Sequence, residues 1–493
     1  MGAKFPLILA LHKKYPAMKN LFALLALFSL SINHLRAQSM LISDPLNIRN
    51  DYGYELIGRL RDRILLFRDK YDEFEVQAFD GQMHLAWNKE LEGLDKGNVQ
   101  IVAVVPGRND FSVVHKVRRR GSAYLRINKY DPGANLIDSM TVKDYGERVF
   151  SPPLLDFVRS DDRNCLAVIN SGERSKLEIT CFRLDKMQVL WDKTVKLEEE
   201  DSFEDVRPKM ALGNAGTFCL ATEKNNRRAR AESHFCQVLL LNDNDERLAR
   251  VPLADLLTAD VEMHFDNQNN CVTAVGIYGE KNRDRVNGTF FWRVPVLKSE
   301  TQTVRFEPFD EKFLSILRQK DVEADSRGIT DCEVRQIVLR QDGGALVVVE
   351  RHHEIQRGTS AGRGFFRDGM RMIVDYYYDD LFVMAFKPDG AVQWKTVLHK
   401  KQYSQDDEGT FSSFFMALNA DRLRFLFNDE IKYENTCSEY VVSPLGEFDR
   451  NSLLNTLNQN LRLRFRDALQ VSASECIVPS EFRNRLKLVL LRF

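Results

Sequence analysis

One pattern limits this chain more than any other: four short apolar runs, joined by turns, written again and again. In residues 54–91 the runs are "YELIGRL", "ILLFRD", "FEVQAFDG" and "HLAWNKEL". The same order of strand, turn, strand, variable loop, strand, turn, strand fills 98–142, 153–197, 209–253, 261–309, 333–398 and 413–454. Turn residues between the third and fourth runs fall near positions 81, 133, 185, 243, 390 and 446. Runs of four to eight residues, rich in Val, Ile, Leu and Phe and bounded by turn formers, read as strands. A four-stranded antiparallel unit cannot bury both faces alone. Stacking such units radially buries both, and closing the ring removes all but short edges. The sequence therefore predicts an all-β chain forming a single β-propeller of four-stranded antiparallel blades. Eight blades fit best, because the wide interval between 243 and 390 holds one more unit plus an insertion; seven is the alternative.

The last stretch, 464–493, supplies only three strands, while "MLISDPLNI" (Met40–Ile48) precedes the first full unit. An N-terminal strand that completes the last blade would close the ring. Trp87, Trp191 and Trp394 fall in fourth strands, whereas Trp292 falls in a third. Helical periodicity is rare. Asp310–Gln319 is the best helix, with Asp310 as N-cap and Phe313, Leu314 and Leu317 on one face.

The sixth unit carries more than texture. Asp342, Gly343 and Gly344 open one hairpin, and Asp389 and Gly390 precede a strand that contains Trp394. This resembles the repeat of a broad class of exported bacterial propeller proteins, in which Asp-Gly-Gly opens a hairpin and Asp-Gly precedes a strand ending in Trp. The matching residues are turn formers and packers, since Asp-Gly and Gly-Gly supply φ > 0 at little cost. The resemblance implies architecture and carries no activity with it.

The N-terminus reads as a secretory leader over residues 1–37, with 1–17 as an upstream extension before Met18. Lys19 is followed by the apolar run "LFALLALFSLSI" (Leu21–Ile32), and Leu35 and Ala37 precede a cut at Gln38. Residues 38–493 then form the propeller domain, exported to the periplasm, the cell surface or the medium, with no integral membrane span. Lys+Arg 70 against Asp+Glu 71 leaves a formal charge of −1, without the basic excess of a nucleic-acid binder.

Eight cysteines are present. In an exported chain an even count permits disulfides. Cys165 with Cys181, and Cys219 with Cys236, each flank a hairpin loop and are the disulfide candidates. The competing expectation is buried thiols acting as small hydrophobes.

Loops between second and third strands share one propeller face with the blade-to-blade connections, and ligands meet such faces or the channel mouth. The hairpin loops are basic: "HKVRRRG" (115–121), "KNNRRAR" (224–230), "EKNRDR" (280–285), "RHHEIQRGTSAGRGFFR" (351–367) and "FRNR" (482–485). The connections lean acidic: "KLEEEDSFEDV" (196–206), "TADVE" (258–262) and "QDDEG" (405–409). A basic fringe around an acidic inner ring would grip an anionic glycan through Arg118, Arg119, Arg120, Arg227, Arg228, Arg351 and Arg363. Solvated hairpin tips whose charges cancel are the plainer expectation.

Other motifs fail on geometry. His352 and His353 are adjacent on a strand and point to opposite faces, so they do not chelate one ion. "RGTSAGRG" (357–364) lacks the phosphate-loop pattern. "LNDNDERL" (241–248) lacks the Gly and closing Glu of a calcium loop. Tyr376–Tyr378 would send alternate rings between blades, or two toward a sugar. No GxSxG or HExxH motif, catalytic residue, cofactor site or metal site emerges. The leading expectation is a non-enzymatic binding or scaffold propeller at the cell envelope, with a polysaccharide or an envelope protein as partner. The alternative is a glycan hydrolase or lyase with carboxylates at the channel mouth. A structural subunit of an envelope assembly, with a large exposed apolar patch, is a third.

Overall fold

The computed structural model describes residues 39–147, 153–173, 176–196, 208–226, 233–319, 328–359, 371–429, 431, 436–455 and 459–493. The expected leader, 1–37, lies outside the described residues. So do Arg227, Arg228 and Arg363.

Eight antiparallel sheets follow one another along the chain, and each of the first seven is a meander in sequence order. Their spans are 51–90, 99–147, 155–196, 209–252, 257–308, 332–398 and 415–455. In the eighth, the strands Leu469–Ser472, Glu475–Phe482 and Arg485–Arg492 are completed by the N-terminal strand Ser39–Ile42. Ser39 faces Arg492 and Ile42 faces Val489, antiparallel. The pairing continues past Ser43, whose amide donates to the Leu488 carbonyl at 2.9 Å and whose hydroxyl accepts from the Leu488 amide at 2.9 Å. The ring is thus an eight-bladed propeller closed by its two chain ends, as the missing fourth strand predicts.

First strands of neighbouring blades approach one another, so they form the inner wall. Between blades lie the cores. Phe74, Phe111 and Tyr130 fill the space between blades 1 and 2, and Trp292, Phe290 and Leu240 that between blades 4 and 5. Burying each such side chain contributes about 1.5–3 kcal/mol relative to leaving it exposed. Trp87, Trp191 and Trp394 stand in fourth strands and Trp292 in a third. The insertion between blades 5 and 6 holds the helix Glu311–Arg318. Asp310 caps it, accepting from the Phe313 amide at 2.7 Å, and Phe313, Leu314 and Leu317 are buried beneath. In blade 6, Gly343 (φ 85°) and Gly390 (φ 80°) take the left-handed turn positions. Asp342 and Asp389 stabilise those turns by accepting from the amides of Gly344 and Ala391, each at 3.0 Å.

Three expectations are corrected. First, the disulfides are absent: all eight cysteines are free. Cys165 faces Arg183 while Cys181 faces Ala167, and Cys219 faces Leu240 while Cys236 faces Glu223. Register follows the burial of alternate apolar residues, and that register leaves neither pair opposite. The thiols instead fill inter-blade cores. Second, "TADVE" is not a connecting loop but part of the strand Leu257–Asp266 on the inner wall. Third, much of 351–367 is strand: the hairpin of blade 6 runs from Ala345 to Thr359 and back from Arg371 to Phe386.

Candidate functional site

The blade 6 hairpin outgrows its blade. Beyond a bulge between Glu350 and His352 it projects as a ribbon, and Gln402–Gln405 adds a third strand against Asp375–Tyr378. Strand alternation then sorts the side chains. Tyr376 and Tyr378 are buried on one face, where His352 lies against Tyr378 with ring centroids 4.2 Å apart. On the other face His353, Tyr377 and Tyr403 are direct register partners across three strands. Their rings form a continuous, half-buried row. His353 stacks on Tyr377 at 4.5 Å with planes 7° apart, and Tyr403 follows at 5.2 Å. Beside the row, Ile355 is 43% exposed. Arg357 pairs with Asp375, which also accepts from the Tyr403 hydroxyl at 2.8 Å and from Gln405 Nε2 at 3.3 Å. The Arg357 bond holds the Asp375 carboxyl below its usual range, with the Tyr403 and Gln405 bonds adding to it. His352 and His353 sit on opposite faces as expected. Among the described residues no cluster of three or more His, Cys, Asp or Glu is placed to hold a metal ion.

A buried polar network anchors the ribbon's root. Glu350 and Lys400, both fully buried, lie 2.7 Å apart. Arg335 Nε reaches Glu350 at 2.8 Å and the Ser413 hydroxyl donates to it at 2.7 Å. Lys400 also donates to the Tyr378 carbonyl at 3.0 Å and to Gln402 Oε1 at 2.9 Å. Burial pulls the Lys400 ammonium down and Glu350 opposes it. Removing one partner of such a buried pair costs about 3–5 kcal/mol, so the network fixes the ribbon's position.

Next to this root, between blades 6 and 7, is a cavity of about 560 Å³ lined by Arg351, Asp379, Asp380, His399 and Arg450, among others. Asp380 Oδ1 is 3.2 Å from His399 Nδ1, and Arg450 pairs with Asp429 at 2.6 Å. Burial raises the Asp379 carboxyl while Arg351 and His353 pull it down.

The lumen is charged. Lys209, on the first strand of blade 4, lies 2.6 Å from Glu262 and 3.7 Å from Asp260 on that of blade 5. Asp260 also accepts from the Val334 amide of blade 6 at 2.8 Å, and burial raises its carboxyl. On the side of blades 8 and 1 a second cavity, about 730 Å³, opens along the lumen.

The predicted arginines do not gather. Arg118, Arg119 and Arg120 are exposed at the tip of the blade 2 hairpin, where Arg120 adopts φ 49°. Arg351 lies on blade 6, half-buried in the cavity at the ribbon's root. Four places apart in a ring of eight, these two groups stand on opposite sides of the channel. The aromatic row has no sequence signature of its own, because its first strand is largely polar; only register places His353, Tyr377 and Tyr403 together.

No protein-family model matches the chain, and no curated protein sequence matches it. Solved structures that align with it include an uncharacterized protein from Listeria monocytogenes, 10% identical, covering 79% of this chain and 92% of that one, with a TM-score of 0.39. The β-propeller domain of the Trilobed protease from Pyrococcus furiosus is 10% identical over 84% of this chain and 98% of that one, TM-score 0.35. Prolyl oligopeptidase B from Galerina marginata is 8% identical over 90% of this chain, TM-score 0.39, and this chain spans only 55% of its length. Likeness this distant says nothing of activity.

Proposed function

We propose that this protein is an exported binding propeller of the cell envelope that takes an acidic glycan on the ribbon of blade 6. The observation that carries the reading is the row of His353, Tyr377 and Tyr403, partly exposed on a ribbon anchored by a buried ion pair. The ring faces at the ends of such a row suit the apolar face of a sugar ring, as aromatic faces do in other pockets. Arg357 beside the row and Arg351 at its root supply charge-assisted donors for a carboxylate. A polymer long enough to cross the channel mouth would also reach Arg118, Arg119 and Arg120. Export rests on the leader read in residues 1–37.

Calorimetric titration with oligogalacturonate and with a neutral malto-oligosaccharide tests this. The acidic oligomer is expected to bind saturably and more weakly as salt rises, and the neutral one at least about tenfold more weakly. Tyr377→Ala should cost about tenfold, the order of one aromatic stack. Unchanged binding in the Arg118→Ala, Arg119→Ala, Arg120→Ala triple variant removes those residues from the site. No binding, or equal binding of the neutral sugar, overturns the reading.

One observation favours a second reading, hydrolysis or lyase cleavage of the same polymer. Asp379, with its raised carboxyl, shares a cavity with Asp380 and its His399 partner. Paired groups with different environments serve general acid–base chemistry. Chain cleavage that disappears in Asp379→Asn would establish it.

A further inference from the structure

The lumen cavity on the side of blades 8 and 1 has an unusual charge arrangement. Arg159, at the end of the first strand of blade 3, Arg163, in the turn that follows it, and Arg466, at the start of blade 8, all line it. Among the described residues none of the three makes an ion pair. Arg466 donates to the Tyr378 hydroxyl at 3.3 Å, and its charge also acts on the Glu333 carboxyl, without an ion pair. Their neighbour Arg464, by contrast, is tied to both Asp467 and Glu481. Arg159 and Arg163 also repel one another: burial first, then the Arg159 charge, pulls the Arg163 guanidinium down. Holding like charges together costs stability, and a bound anion would relieve it.

The rest of the wall is mixed: Asp51, Glu55, Asp467 and Glu481 also line it, Asp51 paired with Arg68 and the last two with Arg464. Burial raises the Glu55 carboxyl, although the Arg159 charge opposes this. Tyr54 lines the same space, and its buried hydroxyl has no hydrogen-bond partner. About 730 Å³ is within the range of pockets that enclose small molecules.

We propose that this lumen cavity binds a small molecule bearing an oxyanion, held by Arg159, Arg163 and Arg466. The site is distinct from the aromatic row and does not depend on the ribbon binding a glycan. Charge-assisted bonds from guanidinium groups to a carboxylate or phosphate are the contacts that three unpaired arginines in one cavity are suited to make.

The test is a titration of the full chain at low salt with inorganic phosphate in one arm and glucuronate in the other, followed by calorimetry. Saturable binding of either supports the site, and the preferred arm says whether the ligand carries phosphate or carboxylate. Arg159→Gln with Arg163→Gln is expected to weaken binding at least about tenfold. The same variant, relieved of repulsion, is expected to melt no lower than the parent, so a binding loss is not a folding loss. Lys298→Ala, in the exposed turn after the third strand of blade 5, should bind as the parent does. Absence of binding in both arms, or a double variant that binds unchanged, overturns the proposal.

Discussion

The indole N–H of Trp191, in the last strand of blade 3, donates to the carbonyl of Gly216, in the first turn of blade 4, at 3.0 Å. Blade 6 repeats the fastening: Trp394 donates to the Pro444 carbonyl of blade 7 at 2.9 Å. Trp191 and Trp394 are therefore staples between blades as well as packing. Trp191→Phe keeps most of the apolar contact but leaves the Gly216 carbonyl without its indole donor. Loss of about 1–3 kcal/mol is expected, read as a lower urea midpoint with an unchanged slope.

Closure of the ring predicts an edge effect. Removing residues 1–47 strips the partner from Arg485–Arg492 and exposes its unpaired backbone. Open strand edges recruit other chains. The truncated protein should melt lower and self-associate with rising concentration, measured by sedimentation. A monomer with the parent's melting temperature would speak against closure by the N-terminal strand.

Burial makes the cysteines inert. It pushes the Cys165 thiol up to about 11 and those of Cys332 and Cys476 up to about 12. The thiolate is the reactive form. The native protein should therefore react slowly with a thiol reagent at pH 7, and all eight cysteines should react at once on unfolding. Fewer than eight titratable thiols under non-reducing denaturation would restore a disulfide.

Acid sensitivity should trace in part to His115. Its ring is fully buried and burial pulls its pKa down to about 4, with Arg126 directly opposite adding to the shift and the Val113 carbonyl opposing it. An unfolded histidine titrates near 6.5. Between these values the unfolded chain takes a proton that the folded one does not, so stability is intact above about pH 6.5 and falls as pH drops toward 4. The loss is of order 3 kcal/mol. His115→Gln should flatten that slope in unfolding free energies measured at pH 7 and pH 4.5.

The propeller was legible because its signals are local. Turn chemistry at Asp342–Gly344 and Asp389–Gly390, apolar runs, and the capped helix after Asp310 all sit within a few residues of what they specify. Even closure could be read, from one strand missing at one end and one spare at the other. Register is another matter. Whether Cys181 faces Cys165 or Ala167 depends on how two strands slide, and nothing in either strand alone decides it. The ribbon hid because its first projecting strand is largely polar on both faces: His352, Glu354 and Gln356 alternate with His353, Ile355 and Arg357. Sites assembled across blades, such as Arg159 with Arg466 or Lys209 with Glu262, carry no sequence spacing at all.

The claim that the blade 6 ribbon is the glycan-binding surface is tested most directly by amide hydrogen exchange with and without saturating oligogalacturonate. Slower exchange is expected in 345–359, 371–380 and 402–405, where Tyr377 and its neighbours lie. Unaltered exchange across those segments, or protection confined to other blades, would contradict it.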